Sequence, residues 1–539
     1  MRQQDALNLP EIRHLIGHHL TRDSLCACVR VNKDWHASFT PFLWSTFYFG
    51  HEKYTYPPLQ PPSSAAIQQH AHLIKTFIIS TLGTPFHLDL FQHTPLTQLQ
   101  ALYFCDYNRI TCLDPNPTVA WIFQQNPKLR VVDYDGRHSK PYFNSLSSPR
   151  QLGRDLRFLL SSCPALTDLT IRCVEFGEDH LEPFRQLCAA RLQRVSFHDT
   201  LFSIDIDWNT AAISMPHLQE LCMTTTETAT AFPGVCFILQ CPNLRTLRWS
   251  TPVKPDLACL KSIAEACPRL QAIELQHMVL KDDVIATFLD SIKCTATEVI
   301  IRGIKFVSVE NVLSFGLRAF NSLQRRHFST LVVFDVGARG SLVESGSLLQ
   351  MLYSCPNLRE LTASRIWAED IYDGQQQQQQ GNWACRGLEV FKVKISISFS
   401  PLASSIHDAV FSQFAILPNL RVLHIGGGIR YTYQCIEEER AQRPTHYLRS
   451  IKEGGGLSLR LEYGLGHLSG LTKLESVSVG GFAQELKREE VDWMKHWWTE
   501  LKELEGELHP RMNVSEAIRW GLTNLGVDLR QSLDRLGFV

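Results

Sequence analysis

Apolar residues recur at one fixed distance through the middle of this chain. Six segments, CPALTDLTI (163–171), ARLQRVSF (190–197), MPHLQELCM (215–223), CPNLRTLRW (241–249), CPRLQAIEL (267–275) and CTATEVII (294–301), share one pattern. An apolar residue is followed by two variable residues, a second apolar, one variable and a third apolar. The first anchors are Leu166, Leu192, Leu218, Leu244, Leu270 and Ala296, spaced by 26 residues at each of five steps. A constant period of this length is the signature of stacked structural units. The pattern continues with looser spacing upstream, at IKTFII (74–79), LQALYF (99–104) and PKLRVVDY (127–134). Downstream it returns at FSTLVVF (328–334), CPNLREL (355–361), GLEVFKV (387–393), LPNLRVLHI (417–425) and LTKLESVSV (471–479), and LSLRLEY (457–463) is a candidate for one further, degenerate unit.

The spacing fixes the local structure. Leu169 and Ile171, two apart, face one side of a strand while Thr170 faces the other. Helical stripes precede several strands: Leu156, Leu159 and Leu160; Leu257, Leu260, Ile263 and Ala264; Val284, Ile285, Phe288, Leu289 and Ile292. A Cys-Pro or Leu-Pro step then ends the helix. The residue before proline is pushed out of the helical region, and proline has no N–H to donate. A lone unit cannot stand. Ordering its backbone costs roughly 1–2 kcal/mol per residue, and each buried anchor returns only about 1.5–3 kcal/mol. Stacking supplies the missing burial, so the fold class is α/β, a solenoid of strand-and-helix units.

CPNLRTLRW and CPRLQAIEL resemble the cysteine-containing leucine-rich repeats found in many F-box proteins. The resemblance implies a leucine-rich-repeat solenoid over residues 67–482, with parallel strands on a concave face and helices outside. This chain departs from the family in lacking a regular asparagine after the strand and in its irregular later units.

Residues 5–50 read as a separate helical module. Leu9, Ile12, Leu15, Ile16 and Leu20 suit a first helix opening at Pro10, a favoured first-turn position. Leu25, Cys28, Val29 and Val31 suit a second helix. Asn32 can cap a third, which lines up Trp35, Phe39 and Leu43. Three short helices cannot bury this much apolar surface among themselves, so a partner is expected. The string NLPEIRHLIGHHL…LCACVRVNKDWHASFTPFLW resembles the F-box, whose members bind the Skp adaptor of cullin-RING ubiquitin ligases. By that resemblance Leu9, Pro10, Ile12, Leu20, Leu25, Val29, Val31, Lys33, Trp35, Leu43 and Trp44 form the adaptor face and its supporting core. His14, His18 and His19 read as solvated surface. Residues 51–66 are a proline-rich linker, stiff and extended at about 3 Å per residue.

Residues 483–539 are expected to form a helical cap. One helix runs from Gln484 to Leu508 with Trp493, Trp497, Leu501, Leu504 and Leu508 on its buried side and Trp498 beside it, and more helix follows from Val514 to Leu536. Gln375–Gln380 reads as a solvated insertion within a repeat.

Composition narrows the function. Lys and Arg total 53 against 54 Asp and Glu, a balance that argues against nucleic acid as the partner. No apolar run reaches the roughly 18–20 residues of a membrane span. The N-terminus lacks the basic-then-apolar build of a signal peptide, so a cytoplasmic or nuclear location is expected, with the sixteen cysteines as thiols and no metal site. The GGG runs at 426–428 and 454–456 lack the residues of a phosphate loop. His198, His277 and His424 have no assignable nucleophile and acid beside them. No catalytic constellation emerges, and neither enzymatic activity nor a cofactor is expected.

The strand side chains pointing away from the core define an expected target face: Asp168, Thr170, Arg172, Arg194, Ser196, His198, Glu220, Thr224, Arg248, Glu274, Gln276 and Arg302. Its mixed charge suits a protein target. The resemblance thus implies a substrate-recognition subunit of an SCF-type (Skp–cullin–F-box) ubiquitin ligase, with Skp adaptor, cullin scaffold and an unidentified protein target as partners. Two rivals stand beside it: a leucine-rich-repeat scaffold working outside a ligase, and an enzyme whose pocket forms only in three dimensions.

Overall fold

The computed structural model describes residues 7, 9–50, 63–80, 94–105, 117–135, 153–172, 175–202, 215–224, 234–250, 255–276, 280–294, 296–302, 315–336, 343–376, 382–397, 403–426, 455–484 and 486–508. The chain forms two compact units, Met1–Leu244 and Arg245–Val539.

The first unit opens with helices α1 (Pro10–Gly17), α2 (Arg22–Cys28) and α3 (Lys33–Ser45). Parallel strands follow, hydrogen-bonded in chain order: β1 (Thr46–Gly50), β2 (Thr76–Ser80), β3 (Ala101–Cys105), β4 (Val131–Asp135), β5 (Asp168–Arg172), β7 (Arg194–His198) and β9 (Glu220–Thr224). Two short strands, β6 (Glu175–Phe176) and β8 (Leu201–Phe202), pair separately. Between the strands lie α4 (Ser64–His70), α5 (Pro117–Gln125), α6 (Gly153–Ser162), α7 (Glu178–Ala190) and α8 (Gly234–Leu239).

In the second unit β10 (Thr246–Ser250), β11 (Ala272–Gln276), β12 (Glu298–Arg302), β13 (Val333–Asp335), β14 (Glu360–Trp367), β15 (Val390–Ile397), β16 (Val422–His424), β18 (Ser476–Ala483) and β19 (Glu503–Glu507) run parallel. Only β17 (Gly455–Gly456), paired with β15, is antiparallel among the described strands. The helices are α9 (Leu257–Ala266), α10 (Asp282–Ser291), α11 (Leu317–His327), α12 (Ser345–Ser354), α13 (Ala368–Gln376), α14 (Ala403–Ala415) and α15 (Arg488–Trp497). Each unit is therefore a leucine-rich-repeat ladder of parallel strands with helices.

The period in the sequence is the register of the sheet. Asp168 pairs with Arg194 and Arg194 with Glu220, while Thr246 pairs with Ala272 and Ala272 with Glu298. The anchors Leu166, Leu192, Leu218, Leu244, Leu270 and Ala296 are fully buried. Consecutive repeats are also stitched just ahead of each strand. The N–H groups of Thr167 and Asp168 both donate to the Arg130 carbonyl, at 2.9 and 3.0 Å, and Gln271 and Ala272 do the same to Arg245 at 2.8 and 2.9 Å. Side chains of the pre-strand turns add a second stitch, one that the absence of a post-strand asparagine does not reveal. Asn243 Nδ2 donates to the Pro216 carbonyl at 2.6 Å, the Cys294 thiol to Pro268 at 3.0 Å, and Asn357 Nδ2 to Ser329 at 2.7 Å.

Several boundaries differ from the sequence reading. Thr46–Gly50, grouped there with the helical module, is the first ladder strand, because its alternating residues pair with Thr76–Ser80. The linker ends earlier than residue 66: Ser63 Oγ accepts the Ala66 N–H and caps α4. Residues 51–62 lie outside the described residues.

The candidate unit at 457–463 is not a ladder strand, since Val422 of β16 pairs directly with Ser476 of β18. The segment instead finds its partner in one side chain. Gln484 Oε1 accepts the Leu459 N–H at 2.8 Å while its Nε2 donates to the Leu457 carbonyl at 3.1 Å. Short 3-10 turns at Leu461–Tyr463 and Leu465–Gly470 follow.

The helix expected over 484–508 stops at Trp497, and Glu503–Glu507 is a further strand paired with β18. Leu501 and Leu504, read as helix-face residues, are buried anchors of that repeat. Trp498, placed beside the buried face, is the tryptophan that is buried, its Nε1–H donating to Leu468 O at 3.3 Å, while Trp497 stays 40% exposed. Leu257 likewise sits at the first turn of α9 and is 40% exposed. The expected helix from 514 to 536 lies outside the described residues, as does most of the glutamine run. Among the described residues, no helix is long and apolar enough to cross a membrane, and no cluster of three metal-ligating side chains occurs.

Candidate functional site

The N-terminal helices are built as the sequence indicates. Pro10 occupies the first turn of α1, and Thr21 Oγ1 accepts the Ser24 N–H to cap α2. Asn32 Oδ1 accepts the Trp35 N–H at 2.9 Å to cap α3. Phe39 is the fully buried centre of the module, with the Trp35 ring at 5.3 Å from it. Helix α1 approaches α3 closely at Gly17, where a Cβ atom would lie 2.7 Å from the Phe42 ring. The exposed His14 and His18 also pack on Phe42, each with ring centroids 5.0 Å away.

Gly17, His18, Leu20, Arg22, Leu25, Phe42, Leu43, Ser45, Thr46 and Tyr48 line a shallow groove of about 290 Å³. Leu20, Leu25 and Leu43 of the expected adaptor set meet there. Leu9 and Val31 are 42% and 58% exposed, and Pro10 and Lys33 are exposed as well. Ile12, Val29 and Trp35 are half-buried. Leu15, left out of the adaptor set, is the most exposed large apolar residue of α1 at 62%. Its signal was its place three residues after Ile12 in the same helix. Trp44 has a different setting: it stacks on Phe47 and on His70, with centroids 5.8 and 4.6 Å away, and so ties the module to the first repeats.

The expected target face divides between the two units. On the first, Arg172 donates to both carboxylate oxygens of Asp133 at 3.1 and 3.3 Å, Arg194 pairs with Asp168, and His198 Nδ1 lies 3.0 Å from Thr224 Oγ1. Thr170, Ser196 and Glu220 share this face on the same strands. On the second, Arg248 lies 3.3 Å from Glu274, which also accepts from Gln276. The side chain of Arg302, and all of His277, lie outside the described residues. Three ion pairs on these strands span adjacent repeats, Arg172 with Asp133 and Arg194 with Asp168 on the first unit and Arg248 with Glu274 on the second.

Farther along the second unit the pairs line up one residue ahead of the strands. Arg359 meets Glu389 at 3.3 Å; Glu475 accepts from Arg421 at 2.6 Å and from Lys502 at 2.8 Å. Hydrogen bonding from Arg421, and then from Lys502, holds the Glu475 carboxyl down at about 2. His424, one of the histidines read as non-catalytic, is kept neutral, lowered to about 4 by burial and by Lys392; its Nε2 lies 3.2 Å from Ser476 Oγ.

No family model matches the chain, and no curated protein sequence matches it. Solved structures do. The chain is similar to a leucine-rich-repeat protein of Leptospira interrogans at 12% identity, over 88% of this chain and 100% of that one, with a TM-score of 0.37. It is similar to a chain of the TLR13–ssRNA13 complex at 13% identity, over 87% of this chain and 57% of that one, with a TM-score of 0.38. A chain of the yeast Rad7–Elc1 complex is similar at 12% identity, over 78% and 82% of the two chains, with a TM-score of 0.33. At this level of identity none of the three speaks to function.

Proposed function

We propose that this chain is the substrate-recognition subunit of an SCF-type ubiquitin ligase. In this reading α1–α3 dock on the Skp adaptor, which links them to the cullin, and the strand face holds a protein target. The observation that carries the reading is the N-terminal module itself. Three helices, the second and third capped by Thr21 and Asn32, bear the Leu-Pro-Glu-Ile, Val-Asn-Lys-Asp-Trp and Leu-Trp strings, leave Leu9, Leu15 and Val31 exposed and open a groove lined by Leu20, Leu25 and Leu43. Apolar side chains gathered at a groove favour a protein partner, because association removes them from water. The chain contributes no chemistry of its own. It raises the local concentration of target beside a ubiquitin-charged enzyme, and that proximity supplies the rate.

The test is affinity capture with the full chain and with a Leu9→Ala/Pro10→Ala/Leu15→Glu variant. Wild type retains Skp adaptor and cullin, and the variant loses both while its strand-face ligand persists. Failure of the wild-type chain to retain the adaptor, or equal retention by the variant, ends the ligase reading.

A further inference from the structure

The last turn of α1 brings two histidines together on a common support. His14 lies in that turn, and His18 is the C-cap, still in helical backbone geometry. Residues four apart on a helix are neighbours on its surface, and here the two rings meet. Their Nε2 atoms are 3.3 Å apart while the ring centroids are 4.9 Å apart, so each nitrogen sits on the side of its ring nearer the other. Both rings pack on Phe42 of α3, with centroids 5.0 Å away, and Phe42 in turn lies close against Gly17. Such packing holds the imidazoles in place before any ligand arrives. Both side chains nevertheless remain exposed.

The separation of the two nitrogens carries the argument. An N–H···O hydrogen bond usually spans about 2.7–3.2 Å, so 3.3 Å is long for a proton shared between the rings. Zinc binds imidazole nitrogen at about 2.0–2.1 Å in tetrahedral geometry. Two nitrogens on one such ion stand about 3.3 Å apart, whereas the right angle of a square-planar or octahedral ion would bring them to about 2.9 Å. The position favours a cation too, because the C-terminal end of a helix carries partial negative charge.

We propose that His14 and His18 form a two-ligand zinc site at the C-terminal end of α1. Each imidazole gives its Nε2 lone pair and keeps its proton on Nδ1, and water fills the remaining positions. Among the described residues no set of three metal-ligating side chains occurs, so binding here is weaker than at a structural site of four side chains. The ion bridges the last turn of α1 and holds it helical. His18 also lines the groove beside Leu20, Leu25 and Leu43, which puts the ion at that groove's edge. The proposal does not depend on what docks in the groove.

The experiment adds zinc alone to the full chain and follows hydrogen exchange at the amides of residues 11–19. The readout is local, so zinc held by cysteines elsewhere does not enter it. Equilibrium dialysis supplies the dissociation constant and should show one zinc fewer in His14→Gln or His18→Gln than in wild type. At zinc tenfold above that constant, exchange through opening of this turn should slow about tenfold. His14→Gln and His18→Gln should each abolish the slowing, because one imidazole cannot chelate. His19→Gln, which removes the exposed neighbour outside the pair, should keep it. Magnesium, which takes oxygen ligands, should have no effect. Tryptic cleavage within residues 10–45 without zinc checks that each variant keeps its fold. Absence of zinc-dependent slowing in wild type, equal slowing in either pair variant, or its loss in His19→Gln overturns the proposal.

Discussion

The carboxylate of Asp282 caps the helix of the following repeat through Gly316. Asp282 Oδ1 accepts the N–H of Gly316 and of Ala319, both at 2.9 Å, and Oδ2 accepts that of Arg318 at 3.0 Å. Helix α11 has no side-chain cap of its own, because residue 316 is glycine. A residue at the start of one helix therefore satisfies the start of the next.

Removing this cap should destabilise the second unit. Asp282→Ala exposes three amides without an acceptor and is expected to cost about 1–2 kcal/mol. Gly316→Ala reaches the same contact from the other side, since a Cβ there would lie 2.8 Å from Asp282 Oδ2. The two changes should be less than additive. Urea-unfolding midpoints and hydrogen exchange at amides 316–319 measure this. Unchanged exchange in Asp282→Ala would show that the cap is idle.

His327 gives the same repeats a pH-dependent joint. It is fully buried, accepts the Ala296 N–H on Nδ1 at 2.9 Å and donates from Nε2 to the Leu289 carbonyl at 3.2 Å. Burial lowers its pKa, as it does more strongly for His424, to about 4. A depressed histidine contributes stability that is complete above the unfolded value, about 6.5. That stability is lost as pH falls toward the folded value, because only the unfolded chain takes the proton. Stability should decline from about pH 6.5 downward, by at most about 1.4 kcal/mol per pH unit for each histidine. The slope should flatten in His424→Gln. A pH-independent urea midpoint between pH 7 and 5 would contradict this.

Gly17→Ala should wedge α1 away from α3, since the added methyl meets the Phe42 ring at 2.7 Å. Overpacking of this kind costs about 1–3 kcal/mol. Faster tryptic cleavage within residues 10–45 is the expected sign, with the repeats keeping their circular dichroism. A protease-resistant variant would mean that Phe42 yields freely.

The thiols should separate by burial. Cys163, Cys267 and Cys385 lie in the core, where desolvation pushes them up to about 12. The thiolate is the reactive form, so these should resist an aromatic disulfide reagent at pH 8 until urea is added. Cys26, Cys28 and Cys259 are only half-buried and should react first. Peptide mapping of the modified sites decides it, and early labelling of Cys267 would count against the packing described.

The ladder was legible in the sequence because its physics is local and periodic. Two apolar residues two apart select a strand face, and a constant 26-residue step makes neighbouring strands pair in register, as Asp168 and Arg194 do. The helix start at Pro10 and the helix cap at Asn32 were legible for the same reason: each acts within four residues. Periodicity misled where a segment was short. Leu501 and Leu504 fit a helical stripe and a repeat anchor equally well, and pairing with β18 chose the strand.

Sequence alone therefore determined the repeating unit, its period and the helical module at the front, since each follows from spacing and backbone preference along a single stretch of chain. Only tertiary structure decided which distant groups meet: the Asp282 carboxylate with the Gly316 N–H, and the Gln484 amide with the backbone of Leu457 and Leu459. Those meetings depend on how insertions of unequal length bring separate repeats together, and no local pattern records that.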